Sequence, residues 1–259
     1  FGAQLSKRGT LDVALRPGLH ALLSYGEGFR SPQARSLEDG ERTPFTRVVS
    51  YELGLRFRDE RRLEASIAGF RTALSDDLVF DHATARNERV PGTTRTGIAA
   101  QLAARPASWF LSQLSFTYAH AVFSGEAAEK SGGRYHAGEL VPYAPGVVVR
   151  SDWAFTPQLG SWLGAPLSGH FGSAFSYVGR RPLPYAEFGH DVFLVDASAE
   201  FKWRTFELGL EVFNLFDRTF YDGEFVYASR FGGAASLVPV RHVTLGPPRS
   251  FLFTFGLSV

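Results

Sequence analysis

The chain has 259 residues and a net charge of +1, with 27 Lys and Arg against 26 Asp and Glu, and that balance argues against a nucleic-acid partner. It holds no Cys, which excludes a disulfide scaffold and Cys-based zinc or redox sites, and no Met, so Phe1 is expected not to be the native start. No run of about 18 apolar residues exists, so no membrane-spanning helix is predicted, and no basic–apolar–small leader is visible.

Aromatics make up 14% of the chain, with 24 Phe, yet mean hydropathy is only −0.07. Alternating strands give that combination. A period of two runs through the chain. It predicts an all-β antiparallel protein with strands near 8–16, 18–28, 46–58, 61–75, 94–104, 108–122, 145–156, 167–179, 191–203, 205–213 and 249–258, about eleven in all. Tyr51, Leu53, Leu55 and Phe57 alternate with Glu52, Gly54, Arg56 and Arg58. Further on, Val195, Ala197, Ala199, Phe201 and Trp203 alternate with Asp196, Ser198, Glu200 and Lys202. The end repeats the pattern, Phe251, Phe253, Phe255 and Leu257 against Leu252, Thr254 and Gly256. Many of these strands reach the roughly 9–11 residues that a tilted strand needs to cross a bilayer.

The connections alternate. Short ones are predicted at Pro17, Asp59–Glu60, Arg105–Ala107, Thr156–Pro166 and Arg204, and long ones at 29–45, 76–93, 123–144, 180–190 and 214–248. Short turns on one rim and long loops on the other are the pattern of a transmembrane β-barrel. Aromatics gather near the short-turn ends (Phe57, Trp109, Phe110, Trp153, Phe155, Trp203) and near the long-loop ends (Tyr25, Phe123, Tyr177, Phe193, Phe213), as two interfacial girdles would. Glu52, Arg56, Arg150, Asp152, Asp196, Glu200, Lys202, Glu207 and Glu211 share the opposite face. So many charges do not fit a dry core, because unpaired buried charge is costly. They fit a wet or plugged lumen. A soluble antiparallel protein with one solvated charged face is the alternative.

Five stretches carry a family resemblance. "LLSYGEGFRSPQ" (Leu22–Gln33), "SYELGLRF" (Ser50–Phe57), "ELVPYAPGVVV" (Glu139–Val149), "EVFNLFDRTFYD" (Glu211–Asp222) and "PPRSFLFTFGLSV" (Pro247–Val259) occur in the order in which TonB-dependent outer-membrane receptors show similar segments. The resemblance implies the C-terminal half, 1–259, of a 22-stranded barrel, with no plug domain in this chain. It implies a Gram-negative outer membrane, uptake of a scarce ligand, with a ferric siderophore expected, and coupling to the TonB complex through a plug. It also implies contact with outer-membrane lipid and lipopolysaccharide and with the barrel-assembly machinery. Such barrels usually end in an aromatic residue, whereas Val259 stands here.

No GxSxG elbow, P-loop or HExxH motif is present, so neither an enzyme nor a cofactor is expected. The His residues are scattered and read as solvated rather than metal-binding. Asp76–Asp77 reads as a strand-end charge pair rather than a cation site. Asn214 and Asp217 of the NLFD stretch read as a strand stop, with Leu215 and Phe216 anchoring the loop that follows. The candidate ligand-binding residues are Arg86, Arg89, Tyr135, Arg180, Arg181, Tyr185, Tyr221 and Tyr227 of the long loops. Cationic and aromatic groups suit anionic, aromatic iron chelates. Bridging of lipopolysaccharide phosphates, or simple solvation, is the plainer account of those arginines. A passive porin-like or adhesin barrel, and a soluble secreted β-rich binding domain, are the alternative functions.

Overall fold

The computed structural model describes residues 5–30, 46–59, 62–81, 86–125, 135–230, 232–233 and 236–257, without the side chains of 78–89. The structure is all-β. Its strands are β1 (Arg8–Arg16), β2 (Leu19–Arg30), β3 (Thr46–Asp59), β4 (Leu63–Asp81), β5 (Arg86–Ala107), β6 (Phe110–Phe123), β7 (Val147–Phe155), β8 (Gln158–Trp162), β9 (Ala165–Val178), β10 (Val192–Trp203), β11 (Phe206–Phe213), β12 (Tyr221–Ser229), β13 (Val238–Leu245) and β14 (Ser250–Leu257). One antiparallel sheet runs β1-β2-β3-β4-β5-β6-β7-β9-β10-β11-β14. The eleven strands of this path are the predicted ones, and β8, paired with β9 off the path, makes twelve in the sheet. Among the described residues β1 and β14 each lack a partner on their outer side.

Three further features depart from the expected loop plan. The 76–93 segment is no open loop: β4 and β5 stay paired out to Asp81 and Arg86. Asp76 and Asp77 therefore sit within a strand rather than at its end. Aspartate disfavours strands, but here neighbouring strands satisfy it. Thr46 Oγ1 donates to Asp76 at 2.6 Å, while Thr93 Oγ1 and Arg95 Nη2 donate to Asp77 at 2.9 and 2.5 Å.

The 156–166 connection holds β8, which continues the line of β7 along β9 after a break at Thr156–Pro157. Proline has no N–H for the ladder, which explains the break. The true turn is Leu163–Gly164, with φ of 48° and 74° between the paired Trp162 and Ala165. Two consecutive positive φ values are the signature of the tight hairpin turn that matches strand twist. The third departure is in the 214–248 segment, where β12 and β13 pair as a separate hairpin.

The two faces of the sheet are inverted relative to a water-soluble protein. Leu53, Leu208, Phe253 and Phe255 are 65, 57, 75 and 66% exposed on the outer face. Each large apolar side chain left in water forgoes about 1.5–3 kcal/mol, so this face requires a lipid surround. Aromatic groups cluster at its turn-side border. Trp109 stacks near Phe155 at 6.3 Å, and Trp162 lies 4.8 Å from Trp203 between ring centres.

The opposite face carries the charges, and most are paired. Arg56 meets Asp12 at 3.1 Å, Arg150 grips Asp152 with two hydrogen bonds of 2.7 and 3.0 Å, and Lys202 pairs with Glu207. The buried apolar residues among those described are Leu74, Val90, Ala121, Phe123, Val141, Leu183 and Val226. All lie towards the long-loop rim, so the wall has no core of its own and the loops do. Val259 lies outside the described residues, as does most of the 29–45 loop.

No helix of the described residues is long and apolar enough to cross a membrane, which says nothing of a barrel that crosses with strands.

Candidate functional site

The long-loop rim is built up from the strand ends. At the end of β11, Asn214 and Asp217 adopt φ of 51° and 50°, the left-handed region that Asn and Asp tolerate best among side-chain-bearing residues. The Asn214 amide donates to the Arg218 carbonyl at 2.9 Å and, more weakly, to the Pro247 carbonyl at 3.3 Å, while its Oδ1 accepts the Arg218 N–H at 2.9 Å. Asp217 Oδ1 accepts the Arg249 N–H at 2.9 Å. NLFD is thus a stop that ties the outgoing and returning bases of the loop together. Leu215 is half-buried, but Phe216 is 65% exposed and does not anchor the loop.

Above that base, three segments lock into one cap. The 179–191 loop folds back on itself: the Leu183 N–H donates to the Glu187 carbonyl at 2.9 Å and the Gly189 N–H to the Arg181 carbonyl at 2.9 Å. Its tip, Tyr185–Ala186, holds φ of 64° and 57°. Non-glycine residues held there cost on the order of 1 kcal/mol or more each. Tyr185 is 58% exposed at this strained tip. Tyr143 of the 124–146 segment donates its N–H to the Pro182 carbonyl at 2.8 Å and sets its ring 5.6 Å from that of Phe225 in β12.

The hub is Glu224. Its side chain is fully buried, yet three donors meet it. The His190 N–H reaches Oε2 at 2.6 Å, His190 Nδ1 lies 2.7 Å from Oε1, and Arg241 Nη1 donates to Oε1 at 3.3 Å. Arg241 also donates to Glu187 at 2.7 Å and to the Phe188 carbonyl at 3.0 Å. Burial pushes the Glu224 carboxyl up, but the His190 hydrogen bonds and the charges of His190 and Arg241 outweigh burial and hold it below the usual carboxylate range. A Cβ at position 189 would stand 2.7 Å from Glu224 Oε2, so glycine there lets the carboxylate approach the loop backbone.

The structure places the eight predicted residues in two groups. Arg180, Arg181 and Tyr185 lie on the folded-back loop, and Tyr221 and Tyr227 on β12 beside it. Arg180 lies over the Phe188 ring at 5.6 Å, Tyr221 packs edge-on to His190 at 5.1 Å, and Tyr227 stacks on His242 at 3.8 Å. In the second group, Tyr135 packs on Phe123 at 4.6 Å, over a cluster that includes Val90, Ala121 and Val141. Arg86 and Arg89 belong to β5 next to that cluster, with side chains outside the described set. Val141 and Tyr143 link the groups. Glu224 and its partnership with His190 and Arg241 were not predicted. The signal available was the run Phe225-Val226-Tyr227 beside Glu224, aromatic and β-branched residues of strand-favouring type inside what read as a loop.

An antiparallel meander that is apolar outside and charged inside, with short turns on one rim and interlocked loops on the other, is the wall of a transmembrane β-barrel. A family model described as TonB dependent receptor-like, beta-barrel matches residues 2–215. The chain belongs to that family, whose barrels are outer-membrane proteins of Gram-negative bacteria and whose members here are receptors and transporters. A search of curated proteins gives no match.

Among solved structures, the siderophore receptor PiuA from Acinetobacter baumannii is similar with a TM-score of 0.69 at 14% identity, over 96% of this chain and 35% of that one. The ferric-catecholate import receptor Fiu from E. coli K12 gives 0.68 at 15%, over 96% and 34%. BauA, the ferric preacinetobactin receptor from Acinetobacter baumannii, gives 0.68 at 15%, over 97% and 36%. At such identities the likeness is one of fold. The chain spans about a third of the length of these structures.

Proposed function

We propose that these residues form the C-terminal half of the barrel of an outer-membrane TonB-dependent receptor, one that takes up a scarce ligand by energy coupling, with a ferric siderophore as its cargo. The observation that carries the reading is the pinned cap, which offers Arg180, Arg181, Tyr185, Tyr221 and Tyr227 on a rigid support, with Arg86, Arg89 and Tyr135 on the neighbouring part of the rim. Guanidinium groups and aromatic rings complement anionic, aromatic chelates, and a rigid support lowers the entropy lost on capture. Similar folds named for ferric-catecholate, ferric preacinetobactin and siderophore binding support an iron chelate. One named as a copper transporter supports scarce metals more broadly. In this reading the TonB complex acts through a plug domain that other parts of the native receptor contribute. Among the described residues the outer edges of β1 and β14 are unpaired, and a bare edge is costly in lipid, so the reading has these strands meeting partners in a larger barrel.

The test is uptake of radioactive iron by the native bacterium, presented as catecholate, hydroxamate and citrate chelates, with the gene intact or deleted and with the energy complex intact or disabled. Loss of uptake for one chelate class in both the deletion and the de-energised strain is the expected result. Unchanged uptake of all three in the deletion strain, or gene-dependent passage that ignores the energy complex, would overturn the reading.

A further inference from the structure

The β12–β13 hairpin is covered on one side only. Its two strands pair with each other and with no other strand among the described residues. Glu224 and Val226 of β12 are buried, each 1% exposed. Their direct partners on β13 are Val243 and Arg241. Directly paired residues share one face of a ribbon, yet Val243 is 46% exposed. Arg241 bends back to Glu187 and Glu224. The cover over this face therefore ends between the two strands. Leu237, just before β13, and Leu245, at its end, are 63 and 64% exposed. The bare apolar strip belongs to β13.

The base of the hairpin tells which way that strip lies. β11 and β14 pair up to Phe213 and Ser250. Above them, Asn214 holds the Pro247 carbonyl, Asp217 holds the Arg249 N–H, and the Gly246 N–H donates to the Phe220 carbonyl at 2.9 Å. Tyr221 then meets Leu245. The two chains stay side by side from wall to hairpin, so β12 continues β11 upwards and β13 continues β14. The 179–191 loop leads into β10, the neighbour of β11, and its His190 meets Glu224 of β12, as that order requires. β13 therefore stands above β14, and among the described residues both have an open edge on the same side.

The open edge of β14 needs a neighbouring strand in lipid. In an antiparallel wall that strand lies about 5 Å away and runs towards the long-loop rim, so its chain leaves the wall beside β13. Open edges that face water are commonly guarded by outward charges. The one Asp, Glu, Lys or Arg of β13 is Arg241, and it is turned back towards Glu187. Pro239 has no N–H to offer, so backbone pairing is expected over 240–245.

We propose that the open edge of β13, with Leu237, Val243 and Leu245, is a docking site for an extended, apolar segment of the same native receptor: the long-rim loop that follows the strand paired with β14. The segment adds to the edge through main-chain hydrogen bonds and covers the three apolar side chains. Similar receptors are about three times as long as these residues, so a receptor of that size has the chain to supply it. The last long loop is then held from both sides, by the 179–191 loop at β12 and by this segment at β13. The inference rests on the half-barrel reading.

The test is photo-cross-linking of the full-length native receptor in outer membranes, with p-benzoylphenylalanine placed in turn at Val243, Leu245 and, as a control at the opposite rim, Leu163. Cross-linked peptides are read by mass spectrometry. Val243 and Leu245 are expected to reach one peptide of the same polypeptide outside these 259 residues, next to the strand that pairs with β14, and Leu163 is expected not to reach it. Leu245→Glu is expected to cut the yield from the Val243 position several-fold while hydrogen exchange at 221–229 stays unchanged, because Leu245 is exposed and the Glu224 contacts remain. Cross-links only to lipopolysaccharide, to another protein or to a second copy would overturn the proposal. So would cross-links confined to these 259 residues, or none from either position in a receptor of full size. An intact mass near 28.5 kDa for the same preparation would instead sink the half-barrel reading beneath it.

Discussion

Glu224 is a buried carboxylate, held by a loop on one side and by its own hairpin on the other. Replacing it by Gln removes the charge that faces His190 and Arg241 and leaves one amide N–H turned towards donors. The cap is expected to lose about 1–3 kcal/mol, the usual cost of a buried polar group without a matched partner. Hydrogen exchange at 181–190 and 221–229 should rise while β2 to β6 stay protected. The acid response has a definite sign. Because the folded carboxyl sits below its ordinary value, its contribution is complete above the ordinary glutamate range, about 4.3, and is lost as pH falls through the lowered value. Exchange in those two segments should therefore speed up on acidification in the wild type and be flat over that window in Glu224→Gln. An equal response in both would mean that the carboxylate does not hold the cap.

At the scale of elements, the β12–β13 hairpin is an insertion between two partners, β11 and β14, that pair without it. Replacing residues 219–246 by a short Gly-Ser link in the full-length receptor should leave the barrel resistant to unfolding in cold SDS, as judged by its heat-dependent gel mobility. The same change should abolish chelate capture. Loss of the barrel instead would place the hairpin in the wall's folding.

The wall's strands and tight turns were legible because they depend on neighbours in sequence: period two needs only the next residue, and Arg204 turns a chain whose ends, Trp203 and Phe206, already face each other. The hairpin was not legible, since Pro239 within β13 and the irregular register at Tyr221 to Gly223 both read as loop. Nor was the upper reach of β4 and β5. Asp76, Asp77, Pro91 and Gly92 are turn formers by type, and only donors from Thr46, Thr93 and Arg95 make a strand of them. The candidate arginines and tyrosines could be picked by composition. The hub that positions several of them could not, because it joins Glu187, His190, Glu224 and Arg241 across segments distant in the chain.

For the whole molecule, the half-barrel assignment makes a simple demand on size. Protein isolated from outer membranes and identified by peptides of this chain should have an intact mass roughly three times that of these residues, in line with their coverage of about a third of similar receptors. A mass near 28.5 kDa would leave eleven strands to find another way of closing, such as association with a second copy.

Apart from the β7–β9 and β11–β14 pairings, each strand in the meander is hydrogen-bonded to the next one in sequence. Each arriving strand thus finds its template in the one just before it, and the sheet can grow like a queue, one hairpin at a time. A lesion in a middle strand would then leave competent sheet on both sides with nothing to join it. The harm done by a substitution in such a wall follows its place in the queue more than the surface it covers.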